Sequence, residues 1–125
     1  MTVMTGAEAI IKSLSVNGVD TVFGLPGGQL DYLFDAMYKE GDNIRLIHTR
    51  HEQGVAYMAY GYARSTGKVG VYTVVPGPGL LNSAAALCTA WANFTPVMCI
   101  SGQIPSTAIG KGYGDLHEIN DQLGM

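Results

Sequence analysis

Charge is what this sequence has least of. Only 14% of its 125 residues are Asp, Glu, Lys or Arg, where an ordinary free-standing domain carries about 25%. Seven Lys plus Arg stand against ten Asp plus Glu, a formal net charge of −3. With no basic cluster either, the electrostatic footprint of a nucleic-acid binder is excluded. Cysteine is scarce too. Cys88 and Cys99 cannot staple a scaffold, neither belongs to a short ligand pair, and His48, His51 and His117 show no metal spacing. The expectation is two buried, reduced thiols in a cytoplasmic protein, and no metal site. No apolar run reaches the roughly 18 residues of a membrane-spanning helix. The opening Met-Thr-Val-Met-Thr lacks the positive flank and apolar stretch of a signal peptide.

The missing charge is concentrated. From Val69 to Gly110, 42 residues pass without one Asp, Glu, Lys or Arg. Within them, Gly79 to Phe94 has helical composition but no charged face, unlike a surface helix. Such a helix should be covered all round. A chain this short has little interior to spare, so the cover is expected from another subunit or further domains rather than from its own chain.

Glycine, by contrast, is plentiful: 17 residues with five prolines and no repeat period, the mark of tight turns between packed elements. They punctuate an alternating rhythm. Thr5-Gly-Ala-Glu8 is a capping-box pattern, and Ala7, Ile10, Ile11 and Leu14 form one helical stripe ended by Asn17-Gly18. Val19 to Phe23 reads as a strand, and Leu30, Leu33, Phe34, Met37 and Tyr38 as the next helix. Ile44 to His48 is a second strand, followed by a helix from about His51 to Ser65 stopped at Gly67. Val69 to Val75 is a β-branched strand with Pro76-Gly-Pro-Gly79 as its turn. The uncharged helix follows, then a strand from Pro96 to Ile100, a loop from Ser101 to Gly114, and a last helix from Asp115 to Leu123 capped by Asp115.

That order predicts an α/β fold: a parallel sheet with helices on both faces, a three-layer α/β/α domain. Ligands in such folds meet the carboxyl ends of strands. The segments leaving those ends are Leu25 to Gln29, Thr49 to Glu52, Pro76 to Gly79 and Ser101 to Gln103. Two phosphate motifs fail on inspection. Gly61 to Gly67 has five residues between its glycines where a P-loop has four, and reads as a capped helix end. Gly77-Pro-Gly79 has Asn82 where the third glycine of a dinucleotide fingerprint would stand. Any phosphates must be held by some other segment.

Glu52 is the most informative residue. At about 100° per residue it shares a stripe with Val55, Ala56, Ala59 and Ala63. The stripe is small and apolar, made for close packing, and a carboxylate at its head is directed inward near a strand end. The bland alternative is a first-turn glutamate in water, favoured by the helix dipole. A carboxyl drawn into an apolar setting can share or donate its proton near neutral pH.

Five motifs occur in order: Val22-Phe-Gly-Leu-Pro-Gly-Gly28, Arg50-His-Glu-Gln-Gly54, Gly61-Tyr-Ala-Arg64, Pro76-Gly-Pro-Gly79 with Asn82, and Ser101-Gly-Gln103. Together they resemble the N-terminal pyrimidine-binding domain of thiamine diphosphate enzymes. The group most similar is that of acetolactate synthase, pyruvate oxidase and benzoylformate decarboxylase. The resemblance covers nearly the whole chain.

It implies that Glu52 hydrogen-bonds the ring nitrogen of the cofactor's aminopyrimidine, so that the exocyclic nitrogen can remove the thiazolium C2 proton. A 2-oxo acid is then decarboxylated or joined to a second carbonyl compound. Pro78 and Asn82 match the turn and helix start lining the pyrimidine pocket. Pro26 and Gly27 match the loop over the reactive centre. On the substrate side, Gln103 matches a glutamine facing the active site and Leu116 a position near the second-substrate pocket. Three positions depart from the acetolactate synthase pattern. Pro76 replaces a usual serine, Leu25 a frequent tyrosine and Leu116 a phenylalanine. They leave the 2-oxo acid or aldehyde open.

Residues 1–125 are thus expected to be a pyrimidine-binding domain, incomplete at its C-terminal end. The resemblance implies a middle domain and a magnesium-holding diphosphate domain, which are expected to lie outside these residues. The cofactor would lie between this domain and the diphosphate domain of a second subunit, in a homodimer or homotetramer. Some family members also carry FAD, whose contacts lie largely outside this segment. The competing reading is a non-catalytic dimerisation or binding module of the same fold, which would have no need of Glu52.

Overall fold

The computed structural model describes residues 3–124. Eight main elements alternate: α1 (Gly6–Val16), β1 (Thr21–Gly24), α2 (Asp31–Glu40), β2 (Arg45–His48), α3 (Glu52–Thr66), β3 (Gly70–Val74), α4 (Pro78–Ala92) and β4 (Val97–Ser101). The expected elements through the fourth strand all form, with ends moved by a residue or two. The four strands make one parallel sheet in the order β2-β1-β3-β4. Its topological switch falls between β1 and β3, where the chain turns from building leftward to building rightward.

Two cores fill the layers. Val22 and Val71 face one side, packed with Ile11 and Leu14 of α1 and Leu33, Ala36 and Met37 of α2. Phe23, Tyr72 and Val74 face the other, packed with Val55, Ala56 and Ala59 of α3 and Ala86 of α4. The alternation of side chains along a strand assigns the two faces. β1 and β3 are buried throughout, whereas β2 is mostly exposed.

Local chemistry sets the helix ends. Thr5 and Glu8 form the expected capping box: Glu8 N donates to Thr5 Oγ1 at 3.2 Å and Thr5 N to Glu8 Oε2 at 2.8 Å. Gly67 closes α3 in the left-handed conformation, φ 71°, its N–H donating to Ala63 O. The near-miss P-loop is therefore a helix C-cap, as its spacing implies.

Two expectations are corrected. First, no helix forms over Asp115–Leu123, and Asp115 caps nothing. His117 and Asp121 take positive φ, 70° and 52°, which interrupts any helix. The Glu118 carboxylate instead accepts from Gly114 N at 2.7 Å and Asp115 N at 3.1 Å, making a turn. Only a short 3-10 turn at Gln122–Gly124 follows. The chain itself does not wrap α4, as expected. One side buries Gly79, Ser83, Ala86 and Ala90, while Leu81, Cys88 and Trp91 stay exposed. Second, Cys88 is not a buried thiol, because it lies on that uncovered side. Cys99 is half-buried, and burial pushes its thiol up from the ordinary value.

Candidate functional site

The turns leaving β1 and β3 meet at the switch point. A Cβ on Gly27 would lie 2.3 Å from Val75 Cγ1, and one on Gly79 2.6 Å from Val75 Cγ2. The two glycines thus close on Val75 from either side, drawing the turns together. The family resemblance implies that Gly27 belongs to the loop over the reactive centre. Its observed role is this close approach.

Glu52 opens α3 beside that junction. His51 precedes the helix in extended conformation, and its Nδ1 accepts from Gln53 N at 3.1 Å. Thr49 Oγ1 donates to His51 O at 2.7 Å, steadying the entry. Below Glu52, the stripe of Val55, Ala56, Ala59 and Ala63 is buried, as its spacing predicts. Gly70 lets α3 lie directly on β3.

The half-buried Glu52 carboxylate is turned toward α4. Asn82 Nδ2 donates to Glu52 Oε2 at 3.0 Å. Glu52 Oε1 faces Gly79, where a Cβ would sit 3.5 Å away. The pair joins residues 30 apart in sequence, near the starts of two helices that pack against each other. The helix contact is fixed further in, where Tyr57 Oη and Thr89 Oγ1 are 3.1 Å apart, and in the interior α4 is tied to β3 by Tyr72 Oη and Ser83 Oγ, 2.9 Å apart. Burial pushes the Tyr72 phenol well above its ordinary value, so it stays a neutral hydrogen-bonding post.

The remaining candidates are distributed around this pair. Pro78 is the first residue of α4, exposed, and Pro26 is exposed on the turn after β1. Gln103 is exposed beyond β4, its Oε1 taken by Ile104 N at 2.8 Å. Leu116 is 75% exposed, and only its backbone oxygen is engaged, by Gln29 Nε2 at 2.9 Å. Glu52 and Asn82 are hydrogen-bonded together, whereas Gln103 and Leu116 make no side-chain bond to either.

The structure adds residues that the sequence did not single out. Gln29 holds Leu116 O and pairs its Oε1 with His117 Nδ1 at 2.8 Å. Gln122 accepts from Gly77 N at 2.8 Å and donates to Gly102 O at 3.1 Å. The segment 115–122 therefore lies across the turns following β1, β3 and β4. No local pattern signals these links, since they connect positions 20 to 88 residues apart.

Chemically, the site offers a carboxylate held at one oxygen by an amide, at the carboxyl edge of a parallel sheet. That set suits a ligand nitrogen able to exchange a proton. Among the described residues no group of three or more His, Cys, Asp or Glu side chains converges to hold a metal. No described helix is long and apolar enough to cross a membrane.

Comparison with known proteins identifies the family. A sequence family described as "Thiamine pyrophosphate enzyme, N-terminal TPP binding domain" matches residues 4–125. A probable 2-ketoarginine decarboxylase of Pseudomonas aeruginosa is 45% identical over 122 residues, 98% of this chain and 22% of that protein. The acetolactate synthase large subunit of Haemophilus influenzae is 43% identical over 122 residues, 98% of this chain and 21% of that protein. A probable acetolactate synthase large subunit of Methanocaldococcus jannaschii is 42% identical over 122 residues, 98% of this chain and 20% of that protein. The chain spans about a fifth of the length of these relatives. With a match across nearly its whole length, the chain belongs to the family of thiamine pyrophosphate enzyme N-terminal TPP-binding domains.

Proposed function

We propose that this domain forms the aminopyrimidine-binding side of a thiamine diphosphate site in a protein that decarboxylates or joins 2-oxo acids. Glu52 is the residue that activates the cofactor. The observation that carries this reading is the 3.0 Å hydrogen bond from Asn82 to Glu52 Oε2, beside the switch point of the sheet, where ligands of such folds bind. When bound, thiamine diphosphate supplies a thiazolium carbon that adds to a 2-oxo carbonyl and takes up the electron pair released on decarboxylation.

The residues present fit that group. Asn82 fixes one carboxylate oxygen and leaves the other directed toward Gly79. Glu52 can then hold or pass a proton at a pyrimidine ring nitrogen. Pro26, Gly27 and Pro78 shape the turns around it, and Gln103 and Leu116 stand on the substrate side. The diphosphate and magnesium would be held by another domain, FAD being an optional addition there, within a cytoplasmic homodimer or homotetramer. The relatives' names support a lyase or a transferase of the acetolactate synthase kind as the parent activity.

The test uses the full-length protein. Glu52→Gln keeps shape and hydrogen bonding but cannot exchange the proton. Turnover should fall by roughly two to four orders of magnitude, with cofactor affinity far less affected. Exchange of the cofactor's C2 hydrogen with deuterated water reads the activating step directly. Exchange at the wild-type rate in the variant would remove Glu52 from that role and favour a binding module.

A further inference from the structure

One buried side chain reaches two of the turns around the site at once. Gln122 is 8% exposed. Its Oε1 accepts from Gly77 N at 2.8 Å and its Nε2 donates to Gly102 O at 3.1 Å. Gly102 N in turn donates to Val74 O at 3.1 Å. The carboxamide thus spans the exits of β3 and β4, a task that needs an acceptor and a donor on one planar head.

The peptide it grips is critical for α4. Gly77 precedes the helix without a side-chain cap, and its oxygen accepts the first helical bond, from Leu81 N at 3.0 Å. Its φ is +59°, and a Cβ there would lie 2.4 Å from His117 O. No side chain at position 77 could therefore hold the turn. The direction of the first turn of α4 depends on the Gly77 peptide, and that turn carries Gly79 and leads directly into Asn82.

We infer that Gln122 is a positioning residue for the Glu52–Asn82 pair, acting through the Gly77 peptide. The inference rests on the role proposed for Glu52. Gln122 makes its two hydrogen bonds to backbone atoms, so it acts by setting where Asn82 stands rather than by touching a ligand. Losing it orphans a buried N–H, which drives the turn to rearrange.

The experiment compares Gln122→Met, Gln122→Glu and Glu52→Gln in the full-length protein. The methionine removes both bonds at similar volume; the glutamate keeps the acceptor and the shape. Amide hydrogen exchange at Gly77, cofactor affinity in the presence of magnesium, and C2-hydrogen exchange of bound thiamine diphosphate are read on each. In Gln122→Met the Gly77 amide should lose about tenfold protection, the worth of one net hydrogen bond. C2 exchange should slow by about tenfold while affinity changes by less than about threefold. In Gln122→Glu the C2 rate should be partly restored. In the Glu52→Gln background, Gln122→Met should slow C2 exchange no further.

A deprotected Gly77 amide with wild-type C2 exchange would overturn the positioning role. So would an equal slowing by Gln122→Met in the Glu52→Gln background. If Gln122→Met does not fold, Gln122→Glu carries the same comparisons, its C2 rate lying below wild type if the role holds and at wild type if it does not. A wild-type C2 rate in Glu52→Gln alone would instead defeat the assignment of Glu52 and the pair with it. An unresponsive Gln122 beside a slow Glu52→Gln defeats only the inference drawn here.

Discussion

Gly70 of β3 and Ala59 of α3 meet backbone to backbone: a Cβ on the glycine would lie 2.0 Å from the alanine carbonyl oxygen. The obstacle is main chain, so no rotamer change relieves it. Gly70→Ala must push α3 off the sheet, and with it the helix start that presents Glu52. The expected cost is about 3 kcal/mol or more, the upper end for overpacking. Urea denaturation measures it. Ala59→Gly should not rescue the variant, because the carbonyl remains. A loss below about 1 kcal/mol would mean that the helix shifts freely.

A second prediction concerns acid. Asp20 accepts from Lys68 Nζ, from Tyr62 Oη at 2.7 Å and from Thr21 Oγ1 at 2.9 Å. The Lys68 bond first, then those from Tyr62 and Thr21, hold its carboxyl far below the usual carboxylate range. A folded value below the unfolded one means stability present above the unfolded value and lost as pH falls toward the folded one. Asp20 is half exposed, its side chain at 50%, so water screens the gain to about 1 kcal/mol at most. Between about pH 5 and pH 2, wild type should lose stability more steeply than Asp20→Asn. Parallel pH slopes from chemical denaturation would refute this.

Association is the third. Trp91 is 86% exposed, Phe94 96% and Leu81 48%, all on or just after the uncharged helix. An apolar surface of this kind marks an interaction site, and the isolated chain should self-associate. Trp91→Gln with Phe94→Asn should weaken association by at least about tenfold. Stability should move by no more than about 0.5 kcal/mol, as for other surface changes. Asn suits position 94, whose φ is 50°. Sedimentation of the wild-type chain as a monomer at all concentrations would count against the prediction.

The order of elements was legible because each is short, strongly patterned and bounded by glycine or proline. Thr5, Glu8, Gly67 and the α3 stripe could all be placed from neighbours within four residues. The exception, Asp115–Leu123, has helix-compatible composition. There, Glu118 bonds back to Gly114 and Asp115, while His117 and Gln122 bind distant turns. Those tertiary links outweigh weak local preference. The same distance dependence limited the site. Glu52 stood out from its stripe and Asn82 from family position, but their hydrogen bond required the packing of α3 on α4. Gln29 and Gln122 carry no local signature at all.

The two faces of the sheet differ in fabric, and that difference bears on how the domain tolerates change. Beneath α1 and α2 the core is built from Ile11, Leu14, Leu33, Met37 and Ile44, long side chains that can exchange volume with one another. Beneath α3 and α4 it relies on Ala56, Ala59 and Ala86, with Gly70 against the bare backbone. A methyl group can shrink but has nowhere to grow. Random variation should therefore accumulate on the first face and be purged from the second, which is also the face that carries Glu52 and Asn82. The domain is an adaptable floor joined to an inflexible one, and its chemistry is housed on the inflexible side.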